Sequence, residues 1–241
     1  MAGHNKWSSI KHKKAKTDAQ RGKLFSKVAR ELTQATRIGG SDPNMNPRLR
    51  LAIQKSKEAN MPNDNVQRAI QKGAGNSDDD NFEELQFEAY GPAGVGLLID
   101  VLTDNRNRSV ANVKMILNKS GASMAKKGAV SYQFALKGLF LFESGQQQDS
   151  IMDIAIENEA EDVLVRDDSS TEVLCEPRQF ESLKQAFDDN TLSYATATVT
   201  KLPSSYVNVD SKTAEQILSI IDKLEDDDDV QEVYSNFESQ E

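Results

Sequence analysis

The spacing of apolar residues differs between the first third of this 241-residue chain and the remainder, and the difference limits the folds that the chain can adopt. Up to Gly73, apolar residues recur every three or four positions, which is typical of helices with one buried face. From Leu85 they first alternate with other residues, as at Phe87 and Ala89, which is typical of strands, and strand and helix spacings then follow one another. Residues 73–81 are rich in Gly, Asn, Ser and Asp and indicate a linker. The sequence therefore predicts an α+β protein with helices first and sheets after them.

Three helices are predicted before the linker. The first begins at Thr17, where Gln20 completes a capping box, and it ends at Gly39-Gly40. Its apolar side is predicted to contain Leu24, Val28, Leu32 and Ala35. The second helix begins near Asn46-Pro47, and the third follows Asn63. Helices this short form a small bundle that needs support from the rest of the chain.

Two α/β sandwiches are predicted after the linker, one inserted into the other. From residue 137 the pattern β-α-β-β-α-β matches the ferredoxin-like unit. Residues 82–134 supply β-β-α-β, with the last strand predicted at 130–134. A C-terminal helix, with Thr213 and Gln216 as its predicted cap, and a C-terminal strand complete this second set. We predict a basic helical domain with a mobile arm at 1–80, a discontinuous α/β domain at 81–134 plus 207–241, and an inserted ferredoxin-like α/β domain at 135–206.

Basic residues are concentrated at the N-terminus. Residues 1–75 contain 16 Lys/Arg and 5 Asp/Glu, whereas residues 76–241 contain 13 and 33, and the net charge of the whole chain is −9. Such asymmetry indicates a basic surface that binds a polyanion, most often nucleic acid, although a lysine-rich helix can also be an ordinary solvated face. The candidate nucleic-acid-binding residues are Lys6, Trp7, Lys11, Lys13, Lys14, Lys16, Arg21, Lys23, Lys27, Arg30, Arg48 and Arg50.

The candidate residues suit phosphate contacts better than base edges. Residues 1–16 have no helical period and predict an arm that orders only on a partner. Within the arm, Trp7 either stacks on a base or docks the arm onto its own domain. The first helix is predicted to have an outer stripe opposite its apolar side, formed by Lys23, Lys27, Arg30 and Gln34, with Arg37 on the same side. We therefore expect recognition by charge or shape, for which duplex DNA and structured RNA are both candidate partners.

A second candidate anion site lies where a predicted strand meets a predicted helix. Its residues are Asn105, Arg106, Asn107 and Arg108. Free backbone N–H groups at a helix start attract anions, and two arginines strengthen the attraction. The alternative is structural: Asp104, Asn105 or Ser109 caps the helix, and the arginines pair with local acids.

The sequence offers no catalytic or cofactor site. No Ser/His/Asp or Cys/His arrangement exists outside the arm, so that an enzyme is not expected. His4 and His12 lack Cys or acidic partners at ligand spacing, and no metal site is expected. Cys175 lies in a strand pattern and is predicted to be a core residue. The segment 91–96 lacks the Lys-Ser/Thr of a phosphate loop and predicts a hairpin turn. No cofactor is expected.

Five consecutive acids, Glu225 to Asp229, separate the last predicted helix from the last strand. They lack the alternating ligands and the glycine of an EF-hand loop, and a solvated loop is predicted. A further hypothesis is that this loop competes with nucleic acid for the basic arm. The acidic domains are expected to be repelled from bare DNA and to contact a protein partner instead.

Two features of the composition bear on location. No apolar run approaches the ~20 residues that span a bilayer, so that no membrane segment is expected. The single cysteine suits a reducing compartment. A cytoplasmic location is therefore predicted.

Several motifs together resemble the YebC/PmpR family over essentially the full chain. They are Ala2-Gly3-His4-Asn5-Lys6-Trp7, Ile10-Lys11-His12-Lys13, Asn46-Pro47-Arg48-Leu49-Arg50, Asn60-Met61-Pro62, Tyr90-Gly91-Pro92 and Leu102-Thr103-Asp104-Asn105-Arg106-Asn107-Arg108. Ala93 stands where the family pattern leads us to expect a second glycine.

The resemblance implies a helical N-terminal domain and two α/β domains. It implies a cytoplasmic bacterial protein or a member of a mitochondrial branch. It also implies a function, since the family is usually catalogued as probable DNA-binding transcriptional regulators. Other members are implicated in translation, at ribosomes stalled on proline-rich sequences. A DNA-binding transcriptional regulator is thus the first expectation, a ribosome-bound translation factor the alternative, and a protein-interaction scaffold a third.

Overall fold

A computed structural model describes residues 18–75 and 82–239, with side chains from residue 22 onwards. The chain divides into two compact units. One unit is Gln133–Ser204, and the other contains the described residues that precede and follow it in the chain. None of the helices in these described ranges has both the length and the hydropathy needed to cross a bilayer.

The elements follow the predicted order of helices before sheets. The helices are α1 (Asp18–Gly39), α2 (Pro47–Glu58), α3 (Asn63–Ala74), α4 (Arg106–Lys119), α5 (Gln148–Glu157), α6 (Phe180–Asp189) and α7 (Ser211–Glu225). The strands are β1 (Glu83–Tyr90), β2 (Gly96–Thr103), β3 (Ser123–Met124), β4 (Phe134–Phe142), β5 (Asp162–Val165), β6 (Thr171–Cys175), β7 (Thr196–Pro203), β8 (Val207–Val209), β9 (Val230–Ser235) and β10 (Phe237–Ser239). The predicted α+β class is confirmed.

The three N-terminal helices enclose a small apolar core. Its buried residues are Val28, Leu32, Ala35, Leu49, Ala52, Val66 and Ala69. Buried Asn46 joins two of the helices, because its amide donates to the carbonyl of Ala35 at 2.8 Å while its oxygen caps α2 by accepting from the N–H of Leu49 at 3.0 Å. Leu24, by contrast, is 45% exposed, and its predicted place in the core is wrong. The described core begins one turn further along α1, at Val28.

Four antiparallel strands form the sheet of the same unit, in the order β3-β1-β2-β9. The buried residues of α4 and α7 form one core with Leu97, Ile99 and Val101 of β2. Since successive strand residues point to opposite faces, the buried residues Leu98 and Leu102 face the other side of the sheet. The C-terminal helix and strand thus complete the set begun by β1, β2 and α4, as the sequence predicts.

Two local predictions in this unit are wrong. Residues 130–134 do not form one strand: Ser131–Gln133 are a 3₁₀ turn, and the strand that follows α4 is β3. The cap of α7 is Asp210, whose carboxylate accepts from the N–H of Thr213 at 2.7 Å, and not a Thr213–Gln216 box. Asp210 immediately precedes the first helical residue, which is the position where a side-chain oxygen reaches the free N–H groups.

Residues 91–95 form the tight turn between β1 and β2 that the sequence predicts. Ala93 has a φ of 56°, in the left-handed region where glycine is favoured. The expectation of a glycine at this position therefore has a conformational basis.

The inserted unit is a four-stranded antiparallel sheet with the order β5-β6-β4-β7 and two helices, α5 and α6. This arrangement follows the predicted β-α-β-β-α-β order. Its core contains stacked and edge-on aromatic rings, among them Phe140 and Phe180 at 4.9 Å. Cys175 is fully buried there, and burial raises the pKa of its thiol to about 11, as suits the predicted core residue.

A buried carboxylate holds the loop between β3 and β4. Glu88 is 4% exposed and accepts the backbone N–H groups of Gly128 at 2.6 Å and Ser131 at 2.9 Å, together with that of Val130. Burial alone raises the pKa of this carboxyl, but the three N–H groups outweigh burial and hold the pKa below its ordinary value of 4.5. The N–H groups of Val130 and Ser131, which in a strand at 130–134 would donate to a neighbouring strand, donate to Glu88 instead.

We expect Glu88→Ala to lower the free energy of unfolding by about 3 kcal/mol, because it leaves buried N–H groups without an acceptor. The difference from the unaltered protein should be largest above pH 4.5, where the carboxylate is charged in both states. It should shrink as the pH falls through the lowered pKa of the folded protein, where the charge is lost. Urea unfolding between pH 3 and pH 7 measures both effects, and Gln86→Ala on the same strand is the control.

Candidate nucleic-acid interface

Part of the predicted interface lies outside the described residues. This holds for Lys6, Trp7, Lys11, Lys13, Lys14 and Lys16, and for the side chain of Arg21. It also holds for His4, His12, Thr17, the side chain of Gln20 and residues 76–81 of the predicted linker.

The stripe of cations on α1 contacts the chain itself. Lys23 donates to the carbonyl of Asp226 at 3.0 Å, and Lys27 donates to the carbonyl of Glu225. Both carbonyls lie at the C-terminus of α7, where carbonyls lack helical partners and the helix dipole is negative. Lys27 is only 8% exposed. The predicted outward-facing stripe is therefore wrong for Lys27, which is buried, whereas Lys23 is exposed and Arg30 is half-buried, and all three direct polar atoms at the end of α7 and the turn after it.

The third member of the stripe reaches a buried carboxylate in that turn. Arg30 donates to the carbonyl of Asp228 at 2.7 Å and to Oδ1 of Asp229 at 2.9 Å. Asp229 is 2% exposed, and Arg108 of α4 donates to its Oδ2 from Nη2 at 2.7 Å and from Nε at 3.0 Å. The hydroxyl of Ser109 lies 2.7 Å from the same oxygen. One carboxylate thus binds arginines from the helical bundle and from α4.

The charged form of Asp229 is favoured despite its burial. Burial raises the pKa of this carboxyl, but the hydrogen bonds from Arg108, Ser109 and Arg30 outweigh it and lower the pKa below its ordinary value. The run of acids is consequently not a uniform solvated loop: Asp226 and Asp228 are exposed, whereas Asp229 is a buried ion-pair partner.

At the second candidate site, side chains within residues 104–108 cap a helix and form ion pairs, which is the structural alternative to an anion site. Asn105 caps α4, since its oxygen accepts the N–H of Arg108 at 3.1 Å. Arg106 pairs with Glu83, and Arg108 pairs with Asp104 at 2.7 Å as well as with Asp229. The hydrogen bonds of Asp229, followed by those of Asp104, raise the pKa of Arg108. Asn107 is exposed beside them. Both arginines therefore already have carboxylate partners.

Arg48 and Arg50 also contact the chain itself. Arg48 donates to both carboxylate oxygens of Glu31, at 2.8 and 3.1 Å, and to Glu84 of β1 at 2.6 Å. These acids, Glu31 first, raise the pKa of Arg48. Arg50 donates to the carbonyl of Pro43 at 2.7 Å. Arg48 thus ties α1, α2 and the sheet together.

Sequence reasoning missed a polar face on α3. Its exposed side chains include Gln67, Arg68, Gln71 and Lys72. They lie opposite the buried Val66 and Ala69, and this helical spacing was a usable signal. Arg68 hydrogen-bonds within its own helix, to the carbonyl of Asp64 at 3.2 Å. A groove of about 360 Å³ between α1 and α3 is lined by Arg68 and Lys72 together with Phe25, Met61 and Phe82.

Comparisons with known proteins cover nearly the whole chain. A family model described as TACO1/YebC protein N-terminal domain matches residues 5–76, and one described as TACO1/YebC second and third domain matches residues 82–237. A "Probable transcriptional regulatory protein" of Desulfosudis oleivorans is 47% identical over 237 residues, 98% of this chain and 96% of the relative. One of Desulforamulus reducens is 47% identical over 243 residues, 100% of each chain.

A solved structure is also similar. The crystal structure of a conserved hypothetical protein from Aquifex aeolicus has a TM-score of 0.82 and 40% sequence identity, and the match covers 94% of each chain. The resemblance that the sequence motifs indicate is confirmed by these findings.

We expect Asp229→Asn to lower the free energy of unfolding by about 1–3 kcal/mol, because the buried carboxylate that accepts from Arg30 and Arg108 loses its charge while both arginines keep contact with water. Asp228→Asn, the same change of charge at the exposed neighbour, should alter it by less than about 0.5 kcal/mol. Urea unfolding at pH 7 measures both. Equal effects of the two substitutions would contradict the role assigned to Asp229.

Proposed function

Because the chain belongs to the TACO1/YebC family, we propose that it is a non-enzymatic regulator of gene expression that binds nucleic acid through its basic N-terminal region. The names of its relatives support the regulatory part of this proposal, since they are called probable transcriptional regulatory proteins. DNA is the first candidate ligand, and a cytoplasmic location is part of the proposal.

The distribution of charge is the observation that carries the proposal. Residues 1–75 contain 16 of the 29 Lys/Arg and only 5 of the 38 Asp/Glu. Each cation that meets a phosphate releases condensed counterions, which makes such a region a binding surface for polyanions. Six of the candidate residues, from Lys6 to Lys16, are concentrated in a stretch without a single Asp or Glu.

The exposed face of α3 favours duplex DNA as the ligand. Arginine and glutamine are the side chains that form bidentate hydrogen bonds with guanine and adenine edges in the major groove. Arg68, Gln67 and Gln71 supply both types on one exposed helix face. In this proposal the N-terminal lysines contact phosphates, and α3 contributes the groups that distinguish bases.

The proposal predicts that Lys11→Glu/Lys13→Glu/Lys14→Glu weakens binding to a promoter fragment by at least tenfold at ~150 mM salt, with a smaller slope of log K against log salt. Fluorescence anisotropy across a salt series measures both quantities. The matched control is Arg178→Glu/Lys212→Glu/Lys223→Glu, which changes the net charge equally at three exposed positions. Equal losses in the two variants would show a general charge effect and contradict a binding role of the N-terminal lysines.

The alternative ligand is ribosomal RNA. The triple substitution of Lys11, Lys13 and Lys14 and its control variant also distinguish binding to DNA from binding to ribosomal RNA. A DNA-binding regulator should prefer one promoter fragment over competitor DNA at ~150 mM salt, where unspecific binding is weak. A translation factor should instead co-sediment with ribosomes and be released by the triple substitution. A protein that does neither, and that ignores DNA and RNA in dilute buffer, fits the scaffold account.

The acidic turn after α7 competes with nucleic acid in this proposal. Lys23, Lys27 and Arg30 donate to carbonyls of residues 225–228, so that these contacts compete with phosphates for the same cations, most of all for the buried Lys27. The exposed carboxylates of Asp226 and Asp228 make the electrostatic potential at the turn after α7 more negative.

We expect Asp226→Asn/Asp228→Asn to raise the affinity for nucleic acid by about two- to fivefold at low salt, since exposed charges interact by up to about 1 kcal/mol. The gain should fade near 0.5 M salt, where the screening length is a few ångströms. Asp149→Asn/Asp153→Asn on α5 is the control with the same change of charge. An unchanged affinity at low salt would count against competition.

A further inference from the structure

A second basic segment lies within the acidic part of the chain. Residues 105–142 contain seven Lys/Arg and no Asp or Glu. The part of this segment that belongs to the unit with α4 and β3 is 105–132, with six of the seven cations. The overall charge of residues 76–241 conceals this local excess.

Four of the six cations are exposed and carry no ion pair within the described residues. Arg106 and Arg108 are bound by carboxylates, as described above. Lys114, Lys119, Lys126 and Lys127 are exposed and are matched by no acid among residues 18–75 and 82–239. Their charge is therefore available to a partner.

Three of these lysines flank β3, which is the edge strand of its sheet. Lys119 lies in the last turn of α4, directly before β3, and Lys126 and Lys127 lie in the loop directly after it. We call these three lysines together with Tyr132 the β3 edge surface. Tyr132 ends the same loop and is 76% exposed.

The backbone beneath this surface is held in place. Glu88 accepts three N–H groups from residues 128–131, and the hydroxyl of Tyr90 donates to the carbonyl of Ala129 at 3.0 Å. Val130, in the same loop, is fully buried. A loop that is ordered before binding loses less conformational freedom when a partner arrives.

Protection of a sheet edge is the competing explanation for the lysines. Lysines at an edge strand discourage pairing with a second chain. That function accounts for Lys126 and Lys127 but not for an exposed aromatic ring at the end of the same loop. Cations combined with an aromatic ring are the chemistry that binds single-stranded nucleic acid, since the cations follow the backbone and the ring stacks on an unpaired base.

We propose that the β3 edge surface is a second nucleic-acid contact, which binds a single-stranded segment through Lys119, Lys126 and Lys127 and stacks a base on Tyr132. The proposal rests on the proposed function for the class of ligand, but it uses residues and a part of the fold that are separate from the basic N-terminal region.

The lysines are tested by neutralisation. The probes are a fluorescein-labelled oligouridine and an oligodeoxythymidine, each of about 20 nucleotides, long enough for an extended single-strand site. Lys126→Gln/Lys127→Gln should lower the slope of log K against log salt by about 1.4, the loss expected for two phosphate contacts on a single strand. Lys212→Gln/Lys223→Gln, two exposed lysines of α7, should leave the slope unchanged. Comparison of the two probes distinguishes RNA from DNA.

The aromatic ring is tested separately. Tyr132→Ala should weaken binding of the single-stranded probes about tenfold, because it removes one stacked base, and should leave the salt slope as it is. Tyr132→Phe keeps the ring and should bind as the unaltered protein does. Thermal unfolding checks that all variants remain folded, which is expected because the side chains exchanged are exposed.

The outcomes separate this inference from the proposed function. If the unaltered protein binds neither single strands nor duplexes in dilute buffer, both are overturned. If it binds duplexes but not single strands, or if Lys126→Gln/Lys127→Gln and Tyr132→Ala bind single strands as the unaltered protein does, only this inference is overturned. Self-association of Lys126→Gln/Lys127→Gln with unchanged affinity for the probes would establish edge protection in its place.

Discussion

The carboxylate of Asp229 connects the parts of the unit that carry opposite charge. It lies in the turn between α7 and β9 and accepts hydrogen bonds from Arg30 of α1 and Arg108 of α4. A buried charge loses its hydration, and only paired and well-directed donors compensate for that loss. Two guanidinium groups and the hydroxyl of Ser109 provide this compensation. The helical bundle is consequently joined to the sheet through a contact that tolerates little displacement.

This contact changes how the basic residues of the bundle are understood. Lys23 and Lys27 act as caps for the C-terminus of α7, and Arg48 links Glu31 with Glu84. The bundle is small, and these polar contacts supply the support that its own apolar core cannot give. A cation that stabilises the fold is not thereby excluded from binding a phosphate, but binding then has a competitor within the molecule. The strength of this competitor sets how much of the basic region a ligand can use.

Local patterns predicted most of the elements and few of the contacts between them. Alternation identified β1 and β2, and helical spacing identified α1 to α3, because periodicity reports which residues share a buried face. The pairing of Arg30 with Asp229 joins residues 199 positions apart, and no local pattern encodes it. The strand predicted at 130–134 failed for a related reason: Glu88, far from it in sequence, binds the backbone of the loop. The polar face of α3 could have been found from spacing alone, whereas the burial of Lys27 could not.

The net charge of a protein does not predict how one of its surfaces interacts with a polyanion when positive and negative residues lie on separate surfaces. At physiological ionic strength the screening length is about 8 Å, so that a surface lysine responds mainly to its immediate neighbours. Lys126 and Lys127 therefore respond to each other and to the single carboxylate of Glu88, which accepts the N–H of Gly128, more than to the excess of acids elsewhere in residues 76–241. The expectation that the acidic part is repelled as a whole from nucleic acid treats its charge as uniform. Once the charge is resolved along the chain, the same unit presents a negative turn beside α7 and a positive edge beside β3, and each can act on a polyanion in the opposite sense.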